Sequence, residues 1–479
     1  MDRISGLGIA LLITLALGTG SAAAAQRYDI VIEGGRVMDP QTGLDAVRNV
    51  GIARGKIVRI DRKRLSGTRV LSARGLVVAP GFIDLDQHLQ DNESSRRKVL
   101  DGVTTALEME IGVPDVAAFL QSKRGHSLIN YGTSAGHLAA RAAVFGAPLS
   151  AQQILPAAGP ATNDAATEEQ LQATLRRLRE ELDAGGLGVG MGIEYTPGAS
   201  HHEVIRVFRL AAERRVPVFV HIRSANVVDP GSGIEAVEEV IGAAAVTGAS
   251  LHIVHINSMC TRQSAECLAM IAGARARGLD VTTEAYPYGA ALTYVNSAVF
   301  NPGWREALGL DYADLALPDT GERLTKDRFE NLHASQDPQL VIMYINPESV
   351  VEAIVPDPQV IIASDGAPGH PRAAGSYARI LSHYVRDLGT ITLMDALRKM
   401  SLMPAQRMEK AAPAAKRKGR LQEGADADVV VFDPGTIKDR ATYQNPGEPS
   451  SGMRFVIVNG VVLIEDGAVV ANTFPGRAL

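Results

Sequence analysis

Eight apolar, strand-like runs separated by helical patterns occupy the middle of this chain of 479 residues. They lie at 77–88, 104–110, 129–136, 186–194, 216–223, 250–257, 280–288 and 360–366. The segments 167–184 and 202–215 between them place apolar residues three and four positions apart, as amphipathic helices do. Eight strand–helix units in succession predict a TIM-type (β/α)8 barrel of the α/β class. A doubly wound sheet is the alternative.

Shorter β-rich runs with Gly-Gly and Arg-Gly-Lys turns flank this middle region on both sides. Such runs predict hairpins. Because both regions have the same pattern, we expect them to build one small β domain from the two ends of the chain. The expected organisation is 26–78 and 411–479 for the β domain and 79–410 for the barrel, with an insertion at about 301–346.

The first 25 residues have the pattern of a secretory signal peptide. An apolar run from Leu7 to Leu17 follows Arg3, and an Ala-x-Ala sequence ends directly before Gln26. The run is shorter than the ~20 residues that span a bilayer. An uncleaved membrane anchor is the alternative. We expect an exported, periplasmic protein with no stable membrane insertion.

The two cysteines, Cys260 and Cys267, would meet an oxidising environment after export. If both lie on one helix, their spacing separates them by roughly 10 Å along the axis, which is too far for a disulfide. We therefore expect two buried, unpaired cysteines.

Charge excludes one class of partner. The chain has 48 Lys and Arg against 53 Asp and Glu, a net charge of −5. No basic run is interleaved with aromatic residues, so the pattern argues against nucleic acid. We expect a small-molecule substrate, and the oligomeric state stays open.

Polar side chains are concentrated where the predicted strands end, which is where barrels carry their chemistry. They are Asp84, Asp86 and His88 on one face of the first strand, Glu108 and Glu110 on one face of the second, and His221, His255 and Asp365 on later strands. Histidine and carboxylate ligands that converge from separate strands suit Zn²⁺, which makes hydroxide available near neutral pH. We therefore expect a metal-dependent hydrolase in which Asp365 moves a proton.

Several short motifs accompany these residues. They are Ala79-Pro-Gly-Phe-Ile-Asp84, Gly102-Val-Thr-Thr105, Gly192-Ile-Glu-Tyr-Thr-Pro-Gly198, Val220-His-Ile-Arg-Ser224, Ala285-Tyr-Pro-Tyr288, and Ala363-Ser-Asp-Gly366 with His370-Pro-Arg372. In this order, from about Tyr28 to the C-terminus, the chain resembles the amidohydrolase superfamily and, within it, the N-acyl-D-amino-acid deacylases. The resemblance implies a metal-containing barrel with a small β-sandwich that hydrolyses the amide bond of N-acyl-D-amino acids and releases a carboxylate and a free D-amino acid.

The resemblance also implies roles for single residues. His221 and His255 match the family's histidines for the more firmly held metal, and Asp365 matches its catalytic aspartate. The family's third ligand is usually a strand-two cysteine, and a bridging carboxylated lysine is excluded because strand four has no lysine. Glu110 is therefore the expected replacement, with Glu108 as the fallback. The Glu-x-Glu form resembles a branch linked with D-glutamate deacylation.

The resemblance leaves the second metal position open. The family's strand-one motif is Asp-x-His-x-His, and here Asp86 stands in place of the first histidine. Asp86 and His88 hold either a weaker second metal or none. We expect one firm Zn²⁺ site at Glu110, His221 and His255, with the strand-one site partial.

Substrate recognition is expected from Arg372, which matches the arginine that binds the substrate's α-carboxylate in the family. Tyr286 or Tyr288 is expected to add a hydroxyl group. Relatives place a lysine two residues after the strand-six histidine, where this chain has Asn257. Asparagine at this position removes a positive charge from the pocket, and Arg223 is the candidate to replace it.

Two other functions stay open at this level. A cyclic-amide hydrolase or a dipeptidase would use the same barrel, because one fold hosts many amide substrates. A catalytically silent periplasmic binding protein would account for Asp86 and for the missing strand-two cysteine.

Overall fold

The computed structural model describes residues 27–88, 90–150, 153, 155–318, 320–335 and 337–479. The signal peptide expected at 1–25 lies outside these residues. The strands are β1 (Arg27–Asp39), β2 (Leu44–Ala53), β3 (Lys56–Asp61), β4 (Ser66–Ser72), β5 (Val77–Pro80), β6 (Phe82–Asp84), β7 (Val103–Val113), β8 (Asn130–Gly136), β9 (Val189–Gly192), β10 (Val218–His221), β11 (Leu251–Ile253), β12 (Val281–Ala285), β13 (Ala291–Tyr294), β14 (Leu315–Ala316), β15 (Leu340–Met343), β16 (Val360–Ile362), β17 (Val429–Phe432), β18 (Met453–Val458), β19 (Val461–Glu465) and β20 (Ala468–Val469).

The helices alternate with the barrel strands. They are α1 (Asn92–Leu100), α2 (Val116–Lys123), α3 (His137–Val144), α4 (Pro160–Asn163), α5 (Glu168–Asp183), α6 (His201–Arg214), α7 (Gly233–Thr247), α8 (Ile256–Met259), α9 (Ser264–Ala276), α10 (Trp304–Leu308), α11 (Lys326–His333), α12 (Glu348–Ile354), α13 (Arg372–Arg379), α14 (Leu393–Leu397) and α15 (Met403–Met408). π-helical turns at Ile380–Asp387 and Arg398–Leu402 extend α13 and join α14 to α15. None of the described helices is both long and apolar enough to cross a membrane.

Eight parallel strands form the barrel, in the order β6, β7, β8, β9, β10, β11, β12, β16. The sheet closes just beyond the last residues of β6 and β16, where the His88 backbone N–H donates to the Gly366 carbonyl at 3.0 Å. The predicted barrel is therefore confirmed. The predicted run 77–88 is divided between two sheets, because β5 pairs with β1 and β17 and only β6 enters the barrel.

A second sheet combines both ends of the chain, because β17, from the C-terminal part, pairs antiparallel with β5. Strands β1 to β5 and β17 to β20 form this sheet. Its inner face is apolar, with Ile32, Val50 and Val431 fully buried. A third sheet of β13, β15 and β14 belongs to the connection between β12 and β16. Strands β14 and β15 lie within the insertion expected at about 301–346, and β13 lies before it.

The helices begin where the sequence supplies capping side chains. Thr167 and Gln170 form a capping box at the start of α5, and Ser200 accepts a backbone hydrogen bond at the start of α6. Both helices bury one apolar face against β8 to β10, with Leu175, Leu178 and Phe208 in the shared core. The two helical patterns in the sequence therefore correspond to α5 and α6 within one residue at each end.

Cys260 and Cys267 form a disulfide bond, so the expectation of two unpaired cysteines was wrong. That expectation assumed one continuous helix. The chain instead leaves α8 at Met259 and makes a 3₁₀ turn at Thr261–Gln263 before α9 begins. The turn brings the two Cα atoms to 6.6 Å, within disulfide range.

Candidate active site

Ionisable side chains converge where the strands of the barrel end. All of the following are at least nine-tenths buried: Asp86, His88, Glu108, Glu110, His221, His255, Asp365 and Arg372. Glu108 and Glu110 lie in the second half of β7, Arg372 begins α13, and the others end or follow β6, β10, β11 and β16. The structure therefore brings together every metal ligand and the catalytic aspartate predicted from the sequence.

Glu110 is at the centre of this cluster. Its Oε1 atom lies 2.6 Å from His221 Nδ1 and 3.4 Å from His255 Nε2. Its Oε2 atom lies 3.2 Å from His88 Nε2. Glu110, His221 and His255 thus offer three ligand atoms within 4.8 Å of one another, which is close enough to hold one metal ion.

The backbone of β7 explains why Glu108 and Glu110 have different partners. Pairing between β7 and β8 shifts register between Glu108 and Val113, and Gly112 within this bulge has a φ of +70°. A Cβ atom at Gly190 on β9 would lie 2.5 Å from the Glu110 carbonyl oxygen, so the close approach requires glycine there. Glu108 turns to His88 Nδ1, at 2.7 Å.

Each of the three histidines has its outward nitrogen held by a polar partner. The pairs are His88 Nδ1 with Glu108 at 2.7 Å, His221 Nε2 with Glu194 at 2.8 Å, and His255 Nδ1 with Ser258 Oγ at 2.8 Å. An ionised carboxylate only accepts hydrogen bonds, so the histidine nitrogens facing Glu108 and Glu194 carry the protons. The other nitrogen of each ring faces Glu110, and a bound metal ion would replace the hydrogen that His221 Nδ1 shares with Glu110 Oε1 at 2.6 Å.

The buried oxygens fit a cation. Both carboxylate oxygens of Asp86 and Oε2 of Glu110 are buried without a hydrogen-bond partner among the described residues. Buried carboxylates are normally paired or coordinate a metal, because an isolated buried charge is costly. A mixed histidine and carboxylate set is the kind that Zn²⁺ prefers. The residues present therefore fit a divalent metal ion.

Burial and the Glu110 charge shift the pKa of Asp86 in the same direction, whereas burial and neighbouring groups oppose each other at Glu110 and His221. Burial, assisted by the charge of Glu110, raises the pKa of Asp86 well above its ordinary value. Burial also opposes ionisation of Glu110, but the charges and hydrogen bonds of the surrounding histidines outweigh it and hold its pKa well below the usual range. For His221 the carboxylates of Glu110 and Glu194 outweigh burial and raise the pKa to about 9. The cluster therefore favours positive charge around Glu110.

Asp365 follows β16 in a strained conformation. Its φ is +49°, and that of His255 is +23°; both values are unusual for residues other than glycine. Its Oδ2 atom lies 2.8 Å from Arg372 Nη1 and 3.8 Å from His255 Nε2, and Oδ1 lies 3.3 Å from His88 Nε2. The strain places the Asp365 carboxylate between the histidines and Arg372.

Asp84 anchors this turn and contacts none of the histidines. Its carboxylate accepts the Ser364 backbone N–H at 3.0 Å and the Ser364 hydroxyl at 2.6 Å. The ammonium group of Lys98 lies 2.9 Å from the same carboxylate, and both side chains are almost fully buried. Asp84 therefore ties β6 to the residue before Asp365.

A pocket opens beside the metal ligands, and its wall is mostly apolar. The apolar residues include Leu155, Leu292, Val299, Leu308, Leu340 and Met343. Among the described residues, Arg372 is the only lysine or arginine in this wall. The pocket is therefore suited to a ligand with one carboxylate and an apolar remainder.

The other predicted substrate residues lie farther back. Tyr286 packs under the Arg372 guanidinium, with 4.7 Å between the guanidinium carbon and the ring centre. Tyr288 packs edge-on against His370, with ring centres 5.7 Å apart. Neither tyrosine is in the wall of the pocket, and only Tyr286 lies directly behind Arg372.

Arg223 does not reach the pocket. Its Nε and Nη2 atoms lie 2.7 and 2.6 Å from the two carboxylate oxygens of Glu239 on α7, and it also donates to the Pro197 and Ala199 carbonyls. This corrects the expectation that Arg223 replaces the missing lysine, because Glu239 already neutralises its charge. Asn257 donates to the Tyr286 carbonyl at 3.2 Å and so serves the backbone.

Sequence reasoning missed Glu194 and Ser258, the partners of His221 and His255. Glu194 belongs to the motif at 192–198, but the motif alone gives it no role. Its place directly after a barrel strand was the signal that could have found it. Ser258 has no comparable signal, because it contacts His255 only through the turn of α8.

The comparisons with known proteins agree with this geometry. A family model described as "Amidohydrolase family" matches residues 149–464. The N-acyl-D-glutamate deacylase and the D-aminoacylase of Alcaligenes xylosoxydans xylosoxydans are each 31% identical to this chain, over 95% and 96% of it and over 97% and 99% of their own lengths. The solved structure of N-acyl-D-glutamate deacylase from Bordetella bronchiseptica, complexed with zinc and a phosphonate inhibitor, has a TM-score of 0.79 at 27% identity and covers 95% of this chain and 100% of its own. This chain therefore belongs to the amidohydrolase family and, within it, to the N-acyl-D-amino-acid deacylases.

Proposed function

We propose that the protein is a metal-dependent hydrolase that cleaves the amide bond of N-acyl-D-amino acids. The observation that carries this proposal is the position of Asp365, which is 2.8 Å from Arg372 and 3.8 Å from His255. One pocket is thus lined by a carboxylate that can transfer a proton, an arginine that can bind the substrate's carboxylate, and a candidate metal ligand. These three groups fit an enzyme that removes acyl groups better than they fit a protein that binds its ligand without catalysis.

Zn²⁺ is the proposed metal, held firmly by Glu110, His221 and His255. Asp86 and His88 are proposed to form a weaker second site. When bound, a divalent cation in such a site lowers the pKa of water and polarises a carbonyl oxygen. Metal analysis of the purified protein tests the count, and two tightly bound equivalents per chain would contradict a single firm site.

The chain's own residues supply proton transfer and orientation. The Asp365 carboxylate faces the pocket and is placed to take a proton from the attacking water and to pass it to the departing amide nitrogen. The guanidinium group of Arg372 is placed to donate two parallel hydrogen bonds to the substrate α-carboxylate. The apolar wall of the pocket excludes water from the remainder of the substrate.

The charge of the pocket narrows the proposed substrate to one with an apolar D-side chain. The two Alcaligenes relatives are equally identical to this chain but are named for different substrates, so identity does not choose between them. A D-glutamate or D-aspartate side chain would bring a second carboxylate into a pocket whose one described arginine is already used. An unpaired buried carboxylate costs several kcal/mol, so we expect at least roughly 100-fold discrimination against it.

A screen of N-acetyl amino acids tests both parts of this proposal. We expect kcat/KM to be highest for D-leucine, D-methionine and D-phenylalanine derivatives, far lower for D-glutamate and D-aspartate, and lowest for the L-enantiomers. Preference for D-glutamate would overturn the assignment of the apolar side chain. Activity only on L-substrates or on hydantoins would overturn deacylation of D-amino acids, and metal-independent ligand binding without turnover would favour a binding protein.

Export to the periplasm is also part of the proposal. The apolar segment before Gln26 supports it, as does the Cys260–Cys267 disulfide, because disulfides persist mainly in oxidising compartments. Fractionation of expressing cells provides the test, with a chain lacking residues 1–25 as the control. Full-length protein confined to the cytoplasm would contradict export.

A further inference from the structure

Glu194 contacts His221 on the nitrogen that faces away from Glu110. Its Oε2 atom lies 2.8 Å from His221 Nε2, and its Oε1 atom accepts the Ala225 backbone N–H at 3.2 Å. Its side chain is 12% exposed and forms part of the pocket wall. The mechanism outlined above does not use this carboxylate.

Two neighbours of Glu194 also act on His221. The Ile193 backbone N–H donates to the His221 carbonyl at 2.9 Å, which fixes the backbone of the histidine. The Tyr195 ring packs on the imidazole with ring centres 4.6 Å apart. Three consecutive residues after β9 therefore restrain the backbone, the ring plane and the outward nitrogen of His221.

We propose that Glu194 is a positioning residue that orients the imidazole ring of His221 and thereby sets the metal affinity of the site. The Glu194 carboxylate accepts a hydrogen bond from His221 Nε2, which holds the ring in one orientation and leaves Nδ1 as the nitrogen that faces the other candidate ligands. Nδ1 lies 2.6 Å from Glu110 Oε1, and a metal ion held by both atoms would take the place of the hydrogen that they share. Hydrogen bonds of this kind orient metal-binding histidines and raise their basicity. The inference rests on the proposed function only in taking His221 as a metal ligand.

Zinc affinity tests this role directly, without any substrate. Wild type, Glu194→Ala and Glu194→Gln are stripped of metal and titrated with Zn²⁺ against a chromophoric chelator. We expect the alanine variant to bind Zn²⁺ about 10- to 100-fold more weakly, as for other partners of metal-binding histidines. The glutamine side chain keeps one acceptor oxygen but loses the charge. The Zn²⁺ affinity of Glu194→Gln should therefore fall between those of wild type and Glu194→Ala. The visible spectrum of Co²⁺-loaded protein should change in both variants, because the orientation of His221 changes.

Glu203→Gln is the matched control. Glu203 is a buried glutamate that accepts a hydrogen bond from a histidine, His137 Nε2, at 2.9 Å, but neither residue contacts the metal-ligand cluster. The Zn²⁺ affinity of the Glu203→Gln variant should equal that of wild type.

Zinc affinity of folded Glu194→Ala within twofold of wild type would overturn the inference. If that variant does not fold, wild-type affinity in Glu194→Gln overturns it instead, and an affinity weakened about tenfold supports it. Failure of the proposed function has a different signature: wild type would bind Zn²⁺ more tightly than the variants but cleave no N-acyl-D-amino acid.

Discussion

Replacing Arg372 with methionine tests how the pocket recognises its substrate. Arg372 is 1% exposed and lies 2.8 Å from Asp365, over the ring of Tyr286. A paired arginine–carboxylate contact provides two charge-assisted hydrogen bonds of about 1.5–3 kcal/mol each. Losing both removes about 3–6 kcal/mol, which corresponds to roughly a 10²- to 10⁴-fold lower kcat/KM. Methionine keeps an apolar stem of similar length against Tyr286.

The assay compares N-acetyl-D-leucine with its C-terminal amide, which lacks the carboxylate. Wild type should prefer the acid strongly, and Arg372→Met should lose that preference because most of its loss falls on the acid. Arg372→Lys keeps the charge without the paired geometry, so we expect an intermediate loss. Zn²⁺ content and circular dichroism control for the integrity of the site. An equal loss on acid and amide would mean that Arg372 acts only through Asp365, and would refute the reasoning.

Three further predictions follow from other parts of the molecule. In initial-rate assays, Asp365→Asn should lower kcat at least roughly 100-fold, because the amide cannot accept the proton, while the protein keeps its Zn²⁺. Near-normal kcat would exclude Asp365 as the proton carrier. Lys98→Met leaves the Asp84 carboxylate buried without its cation and should lower the free energy of unfolding, measured by urea titration, by about 3–5 kcal/mol. A loss below about 1 kcal/mol would contradict the inference that this buried ion pair stabilises the fold. Cys260→Ser should lower that free energy by about 2 kcal/mol, the value for so short a loop, and reductant should do the same to wild type but not to the variant.

The sequence alone was sufficient to predict the barrel because its strand–helix pattern is repeated eight times. Each barrel strand is largely buried, and each ends in the same layer of the fold, so residues distant in the chain had to meet there. This is why the sequence pattern alone could group His221, His255 and Asp365. The division of 77–88 between β5 and β6 was missed because both halves are buried and Gly81 is the one break between them.

Pairings that depend on a local turn or on a single partner were beyond the sequence pattern. The disulfide depends on the turn at Thr261–Gln263, which separates two helices that a helical pattern would join. Arg223 looked available for substrate because nothing in its own strand pairs with it. Its partner, Glu239, is on α7, and helix-to-strand contacts of that kind have no periodic signature.

Glu110 stands where the resemblance implies a cysteine, and this difference changes how the two proposed metal positions relate to each other. A thiolate offers one ligand atom, whereas a carboxylate offers two. Oε1 of Glu110 faces His221 and His255, and Oε2 faces His88 across the cluster. Glu110 also belongs to two overlapping groups of possible ligands, one with His221 and His255 and the other with Asp86, His255 and Asp365. Because one carboxylate serves both groups, a cation in the first reduces the negative charge available to the second. Among the described residues, neither carboxylate oxygen of Asp86 has a hydrogen-bond partner. A cation bound beside Asp86 would favour its ionised form, whose charge a histidine in its place would lack.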